Sequence, residues 1–131
     1  MSTFEILQPA DWAKPKGYAN GIAASGRQVY VAGQIGWSAQ CQFESDDFVA
    51  QVEQALRNIV AVLGEAKAGP QHITRMTWYI LDKREYLARA RDIGEVYRRV
   101  IGKNFPAMTL VVVAALLEDR AKVEIEATAV V

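Results

Sequence analysis

Apolar residues recur along part of the chain at the spacing of a helix with one buried face. A long helix is predicted from Phe48 to the Gly69-Pro70 pair, with Ser45 as its N-cap and with Asp46 and Asp47 at the positive end of its dipole. The stripe that this helix buries consists of Val52, Ala55, Ile59, Val62 and Leu63.

A second amphipathic helix is predicted over Arg84 to Val100, bracketed at its exit by Gly102 and Pro106. Most of its arginines face outward, interleaved with acidic residues, which is typical of a solvated face with local ion pairs. Its expected inward residues are Tyr86, Leu87, Ala90, Ile93, Tyr97 and Val100.

Short apolar or alternating stretches predict β-strands in the remaining parts of the chain. Gly21 to Ser25 and Gln28 to Ile35, separated by Gly26, favour two strands joined by a tight hairpin turn. A weaker pattern indicates an earlier strand over Phe4 to Leu7. Ile73 to Leu81 alternates with a period of two, which predicts a strand with one inward face.

The chain is expected to end in a further pair of strands. These are predicted over Ala107 to Leu116 and Lys122 to Val131, with a turn through Glu118 and Asp119 between them. The complete order is ββαβαββ, an α+β class with both helices on one face of the sheet. Because Ala107 to Leu116 and Gln28 to Ile35 are apolar on both sides, the uncovered face is expected to be buried against further copies of the chain.

Length and charge narrow the possible functions. The 131 residues, about half of them apolar, fit a single domain over 1–131. Fifteen Lys and Arg balance fifteen Asp and Glu, so no overall field attracts nucleic acid or an anionic membrane. Met1 to Trp12 does not resemble a secretory signal, and the apolar run Ala107 to Leu117 is too short to span a bilayer. The expected compartment is the cytoplasm.

Several familiar kinds of site are disfavoured. His72 is the single histidine, so a Ser-His-Asp triad would depend on a residue that is better interpreted as a surface histidine. Gly33 and Gly36 lack the spacing of a dinucleotide loop and fit a strand end where a backbone approaches another group. Cys41 is the only cysteine, which excludes an internal disulfide and a multi-cysteine metal site, and we interpret it as a plain loop residue.

Four sequence motifs occur along the chain in the order in which one protein family has them. The sequences KGYANG at Lys16 to Gly21, VAGQIG at Val31 to Gly36, FPAM at Phe105 to Met108 and KVEIEATAV at Lys122 to Val130 are similar to those of the RidA/YjgF family. The resemblance covers nearly the whole chain. It implies a chorismate-mutase-like fold and a homotrimer with a small-molecule cleft at each subunit interface.

The resemblance also implies a chemistry. In the deaminase branch of the family, enamines and imines are hydrolysed to ketoacids and ammonia with neither metal nor organic cofactor. An arginine after FPA holds the substrate carboxylate there, and a glutamate of the last strand positions the attacking water. Carried onto this chain, the cleft tyrosine is Tyr18, the strand-end glycine is Gly33, and the water-positioning glutamate is Glu124.

Three other positions depart from the family pattern. The arginine is replaced by Met108, the cleft asparagine by Gly94, and a frequent cysteine by Leu110. A thioether cannot form the two charge-assisted bonds of a guanidinium, and their loss would weaken carboxylate binding by about one to two powers of ten. We therefore expect a substrate other than the usual amino-acid-derived one. Trp37 either lines the same cleft or fills a subunit contact.

Three hypotheses about function follow. The first is a cofactor-free hydrolase of a small imine or enamine, with Glu124 activating water. The alternative is a non-catalytic trimer that binds a small metabolite in the same cleft. The third, an RNA-directed role, is disfavoured by the neutral charge and by the lack of a basic aromatic platform.

Overall fold

A four-stranded sheet and two helical segments packed on one of its faces form most of the computed structural model, which describes residues 3–131. The strands are β1 (Thr3–Leu7), β2 (Gly21–Ser25), β3 (Gln28–Ile35), β4 (Ile73–Ile80), β5 (Ala107–Val112) and β6 (Val123–Val130). The helices are α1 (Phe48–Glu65), α2 (Lys83–Ala88) and α3 (Ala90–Val100), with a 3-10 turn at Pro70–His72. The predicted α+β class is confirmed.

The main sheet has the strand order β3-β6-β4-β5. The β6 strand is antiparallel to both of its neighbours, whereas β4 and β5 are parallel. The expected pair β5 and β6 therefore does not form a hairpin, because β4 lies between them. The segment that follows β5 instead returns the chain past β4.

The predicted hairpin between β2 and β3 is wrong. Both strands exist, but β2 pairs with β1 in a separate two-stranded sheet, and β3 pairs with β6. Gly26 has a φ of 145°, and the neighbouring Arg27 exchanges two backbone hydrogen bonds with Val131. The turn at Gly26 thus sends the chain from one sheet into the other. The weakly indicated first strand is present.

Helix α1 supplies the centre of the core. Val52, Ala55, Leu56, Ile59 and Leu63 are fully buried against the sheet, while Val62, which was predicted in this stripe, is 40% exposed. The prediction for this helix was also inaccurate at its two ends.

The N-cap of α1 is Asp47, whose Oδ2 accepts a hydrogen bond from the Ala50 amide at 3.0 Å. Ser45, the predicted cap, is two residues too early, and its Oγ accepts from the Asp47 amide instead. The helix ends at Glu65 and not at Gly69-Pro70, because Lys67 adopts a left-handed conformation with φ 58°.

The second predicted helix is broken in two at Arg89, which has a φ of −106° and a ψ of 17°. Ile93 and Tyr97 are buried as expected, but Leu87, which is 60% exposed, and Ala90, which is also exposed, are not inward residues. His72 is half-buried and not a plain surface residue, since its Nδ1 accepts a hydrogen bond from the Gly69 amide at 3.0 Å.

The face of the sheet that the helices leave open is polar at its centre. The second face of β4 carries Arg75, Thr77 and Tyr79, and that of β6 carries Glu124, Glu126 and Thr128. Apolar side chains on this face come from the outer strands, for example Tyr30, which is 72% exposed, and Val111. The apolar second face that was expected from the strands at Gln28 to Ile35 and Ala107 to Leu116 is therefore confined to these outer strands.

Candidate functional site

Glu124 and Gly33 lie together in one cavity of about 340 Å³ on the open face of the sheet. The pairing of β3 with β6 brings them together, because Ile35 is in register with Glu124 and the register shifts between Val31 and Gln34. Gly33 falls within this bulge, a feature that often redirects a strand beside a site. A side-chain carbon at position 33 would lie only 2.8 Å from Glu124 Cδ, so the bare glycine makes room for the carboxylate.

The two carboxylates of β6 in this cavity are in different states. Glu126 accepts a short hydrogen bond from the Tyr79 hydroxyl. The Glu124 carboxylate has no hydrogen-bond donor among residues 3–131, although Tyr79 is its cross-strand neighbour on β4. Glu124 is thus the carboxylate that is free to bind a water or a substrate proton.

Tyr79 remains protonated across the ordinary pH range. Its hydrogen bond to Glu126, followed by burial and by the nearby negative charges, raises the pKa of the phenol above its usual value of 10.0. The hydroxyl therefore keeps donating to Glu126 and leaves that carboxylate occupied. The remaining walls of the cavity are apolar and comprise Val113, Ala115, Leu116 and Leu117.

Tyr79 and Glu126 were not predicted as site residues. The sequence does contain a pattern that could have indicated them, since Tyr79 and Glu126 lie on the polar side of strands whose alternation is evident. What the sequence did not show is that β4 and β6 are neighbours, with Tyr79 opposite Glu124 and Thr77 opposite Glu126. The apolar 113–117 segment, predicted mostly as strand, is a loop that forms the cavity wall.

Two further predicted ligand residues lie in a different cavity. Tyr18 and Gly94 line a space of about 390 Å³ between the Lys16–Tyr18 loop and α3. Within one copy of the chain, this cavity shares no lining residue with the one that contains Glu124. One copy therefore does not unite the site residues that the family resemblance implies.

Met108 lines a third cavity of about 550 Å³, which also contains Arg75. In the register of β4 with β5, Arg75 is opposite Ala107, the residue before Met108. Arg75 also lines the groove that holds Tyr79 and Glu126. A cation is consequently present close to the position where the family pattern has its arginine.

The last two predicted site residues have structural contacts. Leu110 is half-buried and packs against the core, on the face that β4 turns toward the helices. The Trp37 ring packs on Phe43 with a centroid separation of 5.8 Å, and its carbonyl accepts from Asn58. In one copy of the chain, Trp37 lines none of the three cavities described above.

Metal-binding clusters and membrane-spanning helices are both absent from the described part of the chain. Among residues 3–131, no three His, Cys, Asp or Glu side chains are grouped so that they could hold a metal ion. None of the helices in the same range is both long and apolar enough to cross a membrane.

Comparison with known proteins places the chain in a family. It is 34% identical over 132 residues to RutC family protein UK114 of Drosophila melanogaster, which covers 98% of this chain and 92% of that protein. It is 30% identical over 105 residues to the human 2-iminobutanoate/2-iminopropanoate deaminase, which covers 79% of this chain and 73% of the human protein.

Solved structures agree with the sequence relatives. The Rid family protein YyfB of Yersinia pestis matches with a TM-score of 0.86 at 28% identity, over 98% of both chains. E. coli TdcF with bound serine matches with a TM-score of 0.68 at 30% identity, over 89% of this chain and 90% of that one. The model of the family described as Endoribonuclease L-PSP matches residues 11–131. The chain therefore belongs to this family, which is the RidA/YjgF/UK114 family.

Proposed function

We propose that this protein hydrolyses a small imine or enamine to a carbonyl compound and ammonia, with Glu124 as the base that activates water. The observation that carries the proposal is the Glu124 carboxylate, which has no hydrogen-bond donor among residues 3–131 and faces the bare Gly33 in a cavity. The human relative, named as an iminobutanoate and iminopropanoate deaminase, supports the reaction class.

The proposed reaction needs one water and no other reactant. Glu124 accepts a proton from the water as its oxygen bonds to the imine carbon, and the imine nitrogen takes up a proton to give a carbinolamine. The carbon–nitrogen bond then breaks, ammonia leaves, and the carbinol oxygen gives up its proton as the carbonyl forms. Because Tyr79 occupies Glu126, Glu124 is the carboxylate of this cavity that performs the proton transfers.

The cavity walls indicate the kind of substrate. Val113, Ala115 and Leu116 provide apolar surface beside Glu124, which favours a substrate with an apolar group near the reacting carbon. Met108 cannot pair with a carboxylate. For a substrate that carries a carboxylate, Arg75 is the cation in the same cavity as Met108.

We further propose that the working molecule is a homotrimer, with its clefts between copies. Leu117 lines the Glu124 cavity and is 95% exposed in one copy, and Tyr30 on the same face is 72% exposed. Exposed apolar side chains at the edge of a site are typical of surfaces that a partner covers. A second copy would also bring its own Tyr18 and Gly94 toward a neighbour's Glu124.

Glu124→Gln tests the catalytic proposal. Ammonia release would be measured on a series of imines generated in situ by an amino acid oxidase with catalase, from the imine of alanine to that of phenylalanine. Loss of a general base should lower turnover by about a hundred-fold or more. Glu118→Gln, a change at an exposed carboxylate outside the cavity, is the matched control and should retain full activity. Equal activity of the Glu124→Gln variant and the unchanged protein would refute the proposal.

A second candidate function is metabolite binding without turnover. It is favoured by the replacement of the clamp arginine by Met108 and by the relative that was solved with bound serine. Its signature would be no ammonia release from any imine of the series, together with measurable binding of serine or a ketoacid. Fifteen basic and fifteen acidic residues give the chain no overall attraction for RNA phosphates.

A further inference from the structure

A polar groove of about 370 Å³ adjoins the Glu124 cavity on the open face of the sheet. The two spaces share Tyr79 and Glu126 in their linings, so one leads into the other. In the register of β4 with β6, Tyr79 is opposite Glu124 and Arg75 is opposite Thr128. Arg75 therefore lines the end of the groove that is farther from Glu124, and we call this space the Arg75 groove.

The guanidinium of Arg75 has no partner within the described chain. Among residues 3–131 it forms neither an ion pair nor a hydrogen bond, whereas Arg89 and Arg99 are each paired with a carboxylate. Glu126 lies diagonally across the strand pair from Arg75, but this carboxylate accepts the Tyr79 hydroxyl instead. A positive charge without a counter-ion beside a cavity favours an anionic ligand.

Threonine hydroxyls provide further hydrogen-bond donors around this cation. Thr77, Thr109 and Thr128 line the Arg75 groove, and Thr77 lies opposite Thr109 in the pairing of β4 with β5. In the part of the chain that the structure describes, none of these three hydroxyls forms a hydrogen bond. A guanidinium surrounded by hydroxyl donors suits a carboxylate, because both carboxylate oxygens accept hydrogen bonds.

The neighbouring acidic groups limit the charge of such a ligand. Glu124 and Glu126 lie on the same side of β6 and line the space beside the groove. Their repulsion would act about twice as strongly on a doubly charged phosphate as on a singly charged carboxylate. The surroundings of Arg75 therefore favour a carboxylate over a phosphate.

The separation of Arg75 from Glu124 determines where the carboxylate of a substrate would lie. Arg75 precedes Tyr79, the residue opposite Glu124, by four positions, which is about 13 Å along the strand. The long side chains span part of this distance, and the charge of Arg75 acts on the Tyr79 phenol, where it opposes the rise in pKa. While the imine carbon is beside Glu124, a carboxylate bonded directly to that carbon would not reach Arg75. A carboxylate at the far end of an alkyl chain would.

We propose that Arg75 is a specificity-determining residue that binds a carboxylate at the far end of the substrate. This role for Arg75 rests on the proposed function and names its substrate class, an imine whose alkyl chain ends in a carboxylate. The chain packs beside the apolar wall of the Glu124 cavity, and its terminal carboxylate lies between Arg75 and the threonine hydroxyls. In the proposed trimer, the Arg75 groove would form part of the cleft between copies.

Two imines of equal chain length test this specificity. They would be generated in situ by an amino acid oxidase with catalase, one from α-aminoadipate and the other from norleucine, which has a methyl group in place of the terminal carboxylate. We expect kcat/KM for ammonia release to be about ten-fold or more higher for the imine of α-aminoadipate, as a charge-assisted hydrogen bond predicts. Arg75→Gln should remove this preference and leave hydrolysis of the norleucine imine unchanged.

Further variants separate a specific contact from a general loss of structure. Thr109→Val should reduce the preference by less than Arg75→Gln, because it removes a single hydroxyl donor. Arg91→Gln is the matched control, since Arg91 is an exposed residue of α3 outside the groove, and it should keep the full preference. Light scattering would check that each variant has the same mass as the unchanged protein.

Calorimetric titration with the two ketoacid products extends the test to binding. The protein should bind 2-oxoadipate more tightly than 2-oxohexanoate, and Arg75→Gln should abolish the difference. Hydrolysis of both imines with equal kcat/KM, unaffected by Arg75→Gln, would overturn the role of Arg75 and leave the proposed function intact. Hydrolysis of neither imine would contradict the proposed function. In that case, equal affinities for the two ketoacids would overturn the role of Arg75 as well, whereas a preference that depends on Arg75 would support the carboxylate site.

Discussion

Gly33 and Gly36 lie three residues apart in the sequence, but replacement of each should have a different consequence. A methyl group at position 33 would meet the end of the Glu124 side chain, which can rotate away. A methyl group at position 36 would lie 2.7 Å from Gln51 Cα, a backbone atom of α1 that cannot move alone.

Gly33→Ala should impair catalysis and leave the fold intact. A displacement of the carboxylate by roughly an ångström can reduce turnover about a hundred-fold. The free energy of unfolding in urea should stay within about 0.5 kcal/mol of that of the unchanged protein. Full ammonia release by this variant would show that the position of Glu124 is not critical.

Gly36→Ala should destabilise the fold. Overpacking against α1 costs about 2 kcal/mol, and the shift would disturb Gln51, whose buried amide bonds to the Ser45 and Arg120 carbonyls and to the Lys122 amide. Urea unfolding measures this loss. An unfolding midpoint equal to that of the unchanged protein would contradict the tight contact between β3 and α1.

Asp47 should make the stability depend on pH at the acidic end. Its hydrogen bond to Arg89, together with that from the Ala50 amide, lowers the pKa of the Asp47 carboxyl below its ordinary value of 3.8. Because the folded pKa is depressed, the stabilisation is complete above pH 3.8 and disappears as the pH falls through the folded pKa.

Asp47→Asn isolates this charge effect, since asparagine still caps a helix. Asp47 is about half exposed, so the advantage of the aspartate at about pH 7 should be less than about 1 kcal/mol, and it should be smaller at about pH 3, below the ordinary pKa of 3.8. Urea unfolding of both proteins at the two pH values checks this. A difference in the free energy of unfolding between the two proteins that grew toward low pH would contradict the prediction.

Prediction from sequence was most informative for single residues on clear patterns. The alternation of β6 singled out Glu124 on the side opposite the core, and the structure places it there. The partnership of Tyr79 with Glu126 was not predicted, because it depends on which strands are adjacent. Hydrophobic periodicity reports which side of a strand is buried, but not what lies beside it.

At the scale of elements, local patterns predicted most helices and strands but not their connections. The alternation at Ile73–Ile80 and the apolar stripe of α1 were sufficient to predict a strand and a helix, because each of these elements buries one face. The turn at Gly26 looked like a hairpin turn because glycine permits several backbone geometries, and pairing with distant strands decided the outcome. The break at Arg89 was invisible because α2 and α3 are each helical in pattern.

For the whole molecule, the proposed trimer makes a clear prediction. Size-exclusion chromatography with light scattering should give a mass of about three chains, because the open face exposes large apolar side chains beside the Glu124 cavity. Tyr30→Lys, at a side chain that is 72% exposed in one copy, should shift the mass toward a single chain and lower ammonia release together. Gln40→Lys, at an exposed loop position, serves as control. A single-chain mass for the unchanged protein would refute the trimer.

The place of β6 between β3 and β4 has a consequence for how the chain acquires its structure. The strand that comes latest in the described sequence is the one that joins β3 to β4 and carries Glu124. Until Val123–Val130 has been synthesised, β3 lacks its partner in the main sheet, and β4 has only β5. Assembly of the sheet therefore waits until β6 has left the ribosome, and the Glu124 carboxylate, the proposed base, arrives in the same step that closes the sheet.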